Sequence, residues 1–394
     1  MTKAFTRQTA LFSETSIFAA PQLTDLELNV IRQINELRDN LRSRLHEPRR
    51  WFGSLRRVSI ARAIQGSNSI EGFTAKLDDA AAVGLGEQPL DANDETRLAL
   101  EGYRNAMTYV LQVATEGDFA YSLQLIKSLH FMMTGYDLKS RPGRWRQGAI
   151  YVRNEATEQV VYEGPDIDDV PDLMGELVTQ LNSQNDAPTL MVRAAMAHLN
   201  LVMIHPFRNG NGRMARCLQT LVLAREGLLA PVFSSIEEYL GSNTQAYYDV
   251  LAQVGAGSWQ PDRDTTLWIR FNLTAHLRQA RTVLRRVKET ERLWTDLERI
   301  IEKHGLPERV LPALYDASIG FRVRRATYRA SDKDDITEQM ASRDLHDLVQ
   351  ANLLLPQGEK RGRFYLAGPE IAAARQAIIQ SRDPKDDSDP FTPA

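Results

Sequence analysis

Only one cysteine, Cys217, stands among 394 residues, which excludes an intrachain disulfide and any multi-thiolate metal site. No apolar run approaches the length of a membrane span. The opening stretch MTKAFTRQTALFSETSIFAAPQ scatters its apolar residues among Thr, Ser and Glu, so the continuous core of an export signal is missing. These absences lead to the expectation of a soluble, cytoplasmic protein with no membrane partner. An excess of one charge is lacking too. Lys and Arg number 48 against 51 Asp and Glu, a net charge of -3, which argues against a globally electrostatic nucleic-acid binder. Any anion site must therefore be local. The five tryptophans are dispersed and form no stacking platform for bases.

What is present is helical periodicity. Apolar residues recur at three- and four-residue intervals over 24–46, 95–115, 121–134, 168–182, 188–204, 212–226 and 264–303. The fold class expected is mainly α. Two stretches break the pattern. GAIYVRNEATEQVVYEGP (148–165) has two short β-branched and aromatic runs around polar residues, the pattern of a hairpin. SRDLHDLVQANLLLPQGEKRGRFYLAG (342–368) reads as a helix and then a hairpin, which suggests a winged-helix domain. The last residues, rich in Asp and Pro, read as a disordered tail. The expected organisation is an N-terminal helical region (1–115), a central core with its following helices (116–290), a winged helix (291–378) and the tail (379–394).

Between two of the helical stretches lies IHPFRNGNGRMARC (204–217). The segment before it is apolar almost all round, which marks a buried central helix. After Pro206 the chain turns, and RMARCLQTLVLAREG resumes helical spacing. Gly210 and Gly212 allow successive backbone N–H groups to converge where the second helix begins, so its dipole adds positive charge to a phosphate cradle. Arg213 and Arg216, three apart, share a face and can follow an extended polyphosphate out of that cradle. His205, beside this positive terminus, is kept neutral and ready to accept a proton. Phe207 reads as an anchor of the loop. Geometry alone leaves open the plainer possibility of a turn with a capping histidine and two solvated arginines.

His205-Pro206-Phe207-Arg208-Asn209-Gly210-Asn211-Gly212-Arg213-Met214-Ala215-Arg216 closely resembles the signature of the Fic family. The resemblance covers roughly residues 60–290 and implies a Fic helical core with a small β-hairpin flap ahead of the signature, in proteins that often end in a winged helix. It implies transfer of AMP from ATP to a Ser, Thr or Tyr hydroxyl of a target protein, including the protein itself, with Mg²⁺ as cofactor. His205 would be the general base. Gly210, Asn211 and Gly212 would hold the phosphates, Arg213 the β-phosphate region and Arg216 the γ-phosphate. Asn209 departs from the family pattern, which has a metal-binding acid there; an amide oxygen brings no charge, so Mg²⁺ affinity should be lower. SNSIEGF (67–73) resembles the inhibitory motif of the family, with Ser67 and with Glu71 pairing to Arg216. Ile150 and Tyr151 would lie in the flap strand that clamps the target. Homodimers are common among such proteins.

Alternatives within the fold are AMP removal or a different phosphate-bearing donor. From another class comes a nucleotide-sensing regulator that binds DNA through the winged helix. Arg343, Lys360, Arg361, Arg363 and RVRR (322–325) would form its basic face, against which Asp344, Asp347 and Glu359 would repel phosphate. DNA and protein docking stand equal on this reading. His130 and His198 read as core histidines, since no Cys, Asp or Glu completes a zinc pattern with them.

Overall fold

The computed structural model describes residues 16–45, 49–153, 159–183, 189–225, 233, 235–331, 336–359 and 362–392. Its helices are α1 (Asp25–Leu45), α2 (Phe52–Ser69), α3 (Leu77–Gly84), α4 (Asp94–Val113), α5 (Leu123–Thr134), α6 (Val170–Asn182), α7 (Leu190–Ile204), α8 (Asn211–Arg225), α9 (Glu237–Ser242), α10 (Thr244–Gly255), α11 (Thr266–His304), α12 (Leu311–Ser318), α13 (Arg325–Ser331), α14 (Glu338–Gln350) and α15 (Pro369–Gln380). Strands are few: β1 (Tyr151–Arg153), β2 (Val160–Glu163), β3 (Gly257–Ser258), β4 (Leu354–Gln357) and β5 (Phe364–Ala367). The mainly α class expected from periodicity is what the chain adopts.

The centre is the α7–α8 pair. Twelve of 15 residues in α7 and 13 of 15 in α8 are buried, so both helices are enclosed on all sides and the loop between them cannot drift. One core cluster joins α8 and the inner face of α7 to α2, α4, α5 and α6, through Ile64, Tyr103, Leu129, Leu177, Leu201 and Leu218 among others. A second links α1, α7, α10 and α11 around Trp268, whose indole donates to the Ala195 carbonyl. Glycines bring helices into near contact. A Cβ on Gly66 of α2 would collide with the Glu237 carbonyl of α9, and one on Gly102 of α4 with the Met133 carbonyl of α5. The segment before α1 is tied down as well: Phe18 N–H donates to Asn200 Oδ1 at 2.9 Å and its carbonyl accepts from Asn200 Nδ2 at 3.0 Å.

β1 and β2 pair antiparallel, and β2 pairs in parallel with β3, giving the order β1-β2-β3 with β1 at an edge. These are the two strands of the hairpin expected at 148–165; residues 154–158 lie outside the described residues.

Beyond α11 come α12, α13 and α14, then the antiparallel β4–β5 hairpin, with Val323 bridging to Tyr365 between α12 and α13. The expected boundary at 290/291 falls inside α11, a single 39-residue helix ending at Gly305 in the left-handed region (φ 66°). The C-terminal unit also shares its core with the N-terminal helices: Leu41, Trp51, Leu55 and Val58 pack in one cluster with Leu297, Leu314 and Leu348. The boundaries read from sequence thus cut through continuous packing. The tail departs from expectation too. α15 runs to Gln380, and the residues after it lie along α11, where Arg281 pairs with Asp386 at 2.6 Å, Arg278 donates to the Asp387 carbonyl at 2.7 Å, and Arg270 sits under the Phe391 ring. The arginine face of α11 supplies the counter-charge that composition alone does not reveal.

The basic face expected on the C-terminal unit is only partly available. Arg322 is enclosed by Asp78, Asp79 and Asp91, and Arg325 pairs with Glu338 at 2.8 Å. Arg343 and Arg363 remain exposed, and Lys360 and Arg361 lie outside the described residues.

Candidate active site

His205 is the residue at which α7 ends. Its φ of 51° and ψ of 56° place it in the left-handed region, unusual for a residue with a Cβ and imposed here by the surrounding packing. Its N–H still bonds the Leu201 carbonyl at 3.0 Å, so the helix is closed properly while the side chain is thrown sideways. The ring Nδ1 lies 3.1 Å from the Val202 carbonyl. A carbonyl only accepts, so Nδ1 carries the proton and Nε2 presents a lone pair. Burial holds the imidazole pKa down to about 4; the Val202 carbonyl and the Glu71 carboxylate pull it up less strongly, and Arg146 adds to the depression. The neutral state was expected from the nearby helix terminus, but burial is the larger cause.

The loop that follows is clasped from both sides. Asn211 donates from Nδ2 to the Phe207 carbonyl at 2.8 Å and accepts the Phe207 N–H on Oδ1 at 2.9 Å. Its side chain therefore shapes the cradle, and one of its two amide N–H donors is spent in doing so. Phe207 is fully buried and stacks on the His130 ring at 3.7 Å between centroids, nearly parallel, with Trp145 at 5.0 Å. His130 accepts the Gly143 N–H on Nδ1 at 2.8 Å and donates from Nε2 to the Asn209 carbonyl at 2.9 Å. It is a structural histidine as expected, yet it holds the signature loop directly, which its apolar neighbours in sequence did not signal. Arg146 was not anticipated at all. Buried, it donates from Nε to the His205 carbonyl at 3.1 Å, from one terminal nitrogen to the Gly148 carbonyl at 2.6 Å and from the other to the Pro165 carbonyl, while its backbone N–H bonds the Pro206 carbonyl at 2.8 Å. It thereby ties both ends of the β1–β2 hairpin to the signature loop. No local pattern in the sequence marks it, because all four acceptors are main-chain carbonyls.

The cradle itself opens at the start of α8. Gly210 has a φ of 78°, and a Cβ there would press on Thr134 at 2.9 Å. Arg213 and Arg216 are both buried. Arg213 lies over the Phe73 ring and donates to the Tyr136 hydroxyl at 3.3 Å, leaving its Nε without a partner. Arg216 donates from Nε to Ser67 Oγ at 2.8 Å, and from one terminal nitrogen to the Ser67 carbonyl at 2.9 Å and Glu71 Oε1 at 2.7 Å. Its other terminal nitrogen is buried without a partner, beside Gly212. Buried N–H groups are almost always satisfied, so two unspent guanidinium donors beside a helix N-terminus mark a site built for anionic oxygens.

Glu71 already brings one such anion. α2 ends at Ser69, and the Glu71 N–H bonds the Asn68 carbonyl at 3.0 Å before Gly72 (φ 84°) turns the chain away. The carboxylate then lies against the α8 N-terminus so closely that a Cβ on Gly212 would collide with its Oε1. Burial would raise its pKa, but Arg216, then Arg213, outweigh that and hold it below the usual value. The same pairing raises Arg216 further, so the ion pair is charged on both sides. Ser67 and Glu71 are thus brought to Arg216 together, across 149 and 145 positions of sequence.

Asn209 is exposed at the rim, and its Oδ1 accepts the Gly210 N–H at 2.6 Å. Among the described residues no group of three or more His, Cys, Asp or Glu gathers as a metal cage. One neutral, already engaged oxygen does not fit a hard dication by itself, so no step below is routed through Mg²⁺. Tyr151 opens the edge strand β1 and is exposed, and Ile150 stands just before that strand, packed against Gly164. His198 is distant in role: it bonds Gln219 at 2.6 Å and the Tyr247 hydroxyl at 2.9 Å inside the core, and burial depresses it to about 3.

Comparison with known proteins agrees with this geometry. Residues 120–223 match the model of the Fic/DOC family. The protein adenylyltransferase Fic of Nematostella vectensis is 27% identical over 259 residues, 62% of this chain and 54% of that protein. That of Drosophila virilis is 31% identical over 197 residues, 49% of this chain and 39% of that protein. The chain thus spans about half or less of the length of the curated relatives it matches. In fold, it is similar to a Fic family protein from Desulfovibrio desulfuricans, with a TM-score of 0.55 and 22% identity over 89% of this chain and 98% of that one. It is also similar to Fic-1 from Caenorhabditis elegans, with a TM-score of 0.52 and 22% identity over 67% and 73%. His205 and both arginines, Arg213 and Arg216, fall inside the stretch that is similar to the Fic/DOC family.

Proposed function

We propose that this chain is a protein adenylyltransferase, moving the AMP part of ATP onto a Ser, Thr or Tyr hydroxyl of a target protein, and that Glu71 restrains it. The observation that carries the reading is the pairing of a neutral histidine, its Nε2 free, with a cradle whose buried arginines keep unspent donors. The hydroxyl oxygen bonds to the α-phosphorus, the bond from that phosphorus to the bridging oxygen of the β-phosphate breaks, and pyrophosphate leaves. The hydroxyl proton goes to His205 Nε2. Gly210 and Gly212 open the main-chain donors of the α8 terminus to the phosphates, and Arg213 and Arg216 offset charge on the departing pyrophosphate. The free edge of β1, near Ile150 and Tyr151, suits an extended target segment added by main-chain pairing.

Restraint follows from position. Glu71 occupies Arg216 and lies on Gly212, where a terminal phosphate would meet a carboxylate in place of a donor. A second reading, removal of AMP by water, is favoured by the same buried carboxylate standing within reach of the cradle. We further propose that the C-terminal unit is a winged helix. With Arg322 spent on internal acids, it serves protein docking better than DNA binding.

The test is incubation of wild type, Glu71→Gly and Glu71→Gly/His205→Ala with Mg²⁺ and ATP labelled at either the α- or the γ-phosphate, together with a cell lysate. Label from the α-position alone, raised about tenfold or more by Glu71→Gly (~1.4 kcal/mol of lost competition) and abolished in the double variant, is the expected result. Transfer from the γ-position would reveal a kinase, and no label in any variant would sink the proposal. Release of AMP from prelabelled protein by wild type but not by Glu71→Gly would favour the second reading.

A further inference from the structure

Away from the signature loop, a cavity of about 780 Å³ lies between α2, α11, α15 and the chain that follows α15. None of its lining residues belongs to the loop at 204–217 or to the inhibitory turn. Its lining carries ten Lys and Arg side chains against five carboxylates, in a chain whose net charge is -3. The surplus is therefore concentrated here against the average of the molecule.

Local pairing does not absorb it. Glu238 is shared by Arg62 at 3.2 Å and Arg286 at 2.8 Å, and Glu289 by Arg375 at 3.2 Å, Arg382 at 2.7 Å and, more loosely, Arg285 at 3.7 Å. Two carboxylates thus serve five guanidinium groups. Arg278 has neutral acceptors, the Asp387 carbonyl and the Tyr239 hydroxyl at 3.4 Å, and Arg292 reaches the Ser381 hydroxyl at 3.2 Å. The Nε of Arg62 is buried without a partner. The acidic residues after α15 already supply three of the five carboxylates, Asp383, Asp386 and Asp387, and the surplus remains after they are counted.

We infer that this cavity is a second anion site, one that binds a small ligand carrying several clustered phosphates. Arginine forks match phosphate oxygens in pairs, and a wall that includes Leu284 and Ile319 accommodates the apolar part of an organic polyphosphate. The volume lies in the small-molecule range of roughly 300–1,000 Å³. Both nucleoside polyphosphates and inositol polyphosphates share this chemistry.

The experiment is calorimetric titration of the full chain with inorganic tripolyphosphate, in an Arg213→Ala background that weakens the catalytic cradle. Saturable binding that is weakened roughly tenfold or more by Arg285→Glu/Lys288→Glu, and by added salt, is expected. Arg278→Gln, which removes a charge without reversing one, should weaken it in the same direction and serves if the double reversal does not fold, as judged by circular dichroism. Displacement by metal-free ATP or by inositol hexakisphosphate identifies the source. Absence of saturable binding, or binding indifferent to the cavity variants, overturns the inference, as does tight binding of a duplex oligonucleotide that tripolyphosphate cannot displace. The readout is binding alone, so it stands or falls separately from AMP transfer.

Discussion

His205 illustrates how a single side chain is prepared. Its ordinary pKa of 6.5 is lowered to about 4 chiefly by burial, so the ring is already unprotonated throughout the neutral range. AMP transfer by Glu71→Gly should therefore stay level from about pH 8 down to about pH 5.5, a unit and more above the depressed pKa. A rate measured against pH that halves near 6.5 would contradict this. The depression should deepen when Glu71 is removed, since its carboxylate favours the protonated ring. Ser67 contributes two of the three contacts on Arg216, one from its hydroxyl and one from its backbone. Ser67→Ala removes only the hydroxyl, so it should raise transfer, by less than Glu71→Gly does. Comparing initial rates of the two variants checks the ranking.

Between elements, the placement of Ser67 and Glu71 depends on how closely α2 approaches α9. Gly66 lies one residue before Ser67, and a Cβ on it would run into the Glu237 backbone, which cannot yield as a flexible side chain would. Gly66→Ala should cost on the order of 1–3 kcal/mol, as overpacking does, and lower the melting temperature by several degrees. The β1–β2 hairpin and the signature loop are coupled through Arg146, whose guanidinium bonds three carbonyls. Arg146→Ala leaves those acceptors without their donor, and should lower transfer by Glu71→Gly while speeding proteolytic cleavage near the β1–β2 hairpin. A variant with undiminished transfer and unchanged cleavage would show that Arg146 is not the tie.

For the molecule as a whole, four buried histidines titrate against folding. His130, His198 and His205 are depressed to about 4, 3 and 4, and burial beside Arg38 pushes His276 down as well, so below pH 6.5 the unfolded chain binds protons that the folded chain refuses. Stability should then fall as the pH drops from 6.5 towards 4, with each histidine contributing a slope of up to about 1.4 kcal/mol per pH unit. Thermal unfolding followed between pH 7 and pH 4.5 tests the sign; a melting temperature that rises on acidification would refute it. The same enclosure explains why one cluster spans Trp51 and Leu348 while another spans Ile64 and Leu218: the long α11 runs past the expected domain boundary and carries packing from the helices around the signature loop into the C-terminal unit.

Helical periodicity, the turn at 204–212 and the order of signature residues are local properties, set within a few residues of chain, and they made the helical class, the position of His205 and the two arginines legible without coordinates. Glu71 was legible only through its motif, since nothing in SNSIEGF points to a residue 145 positions away. Arg146 and the clasping roles of His130 and Asn211 depended on folding, because their partners are main-chain carbonyls and N–H groups brought near by packing. The basic cavity and the placement of residues 381–392 depended on it too: charge along the chain is nearly balanced, and it is the assembly of α2, α11 and α15 that gathers arginines from distant segments faster than it gathers acids.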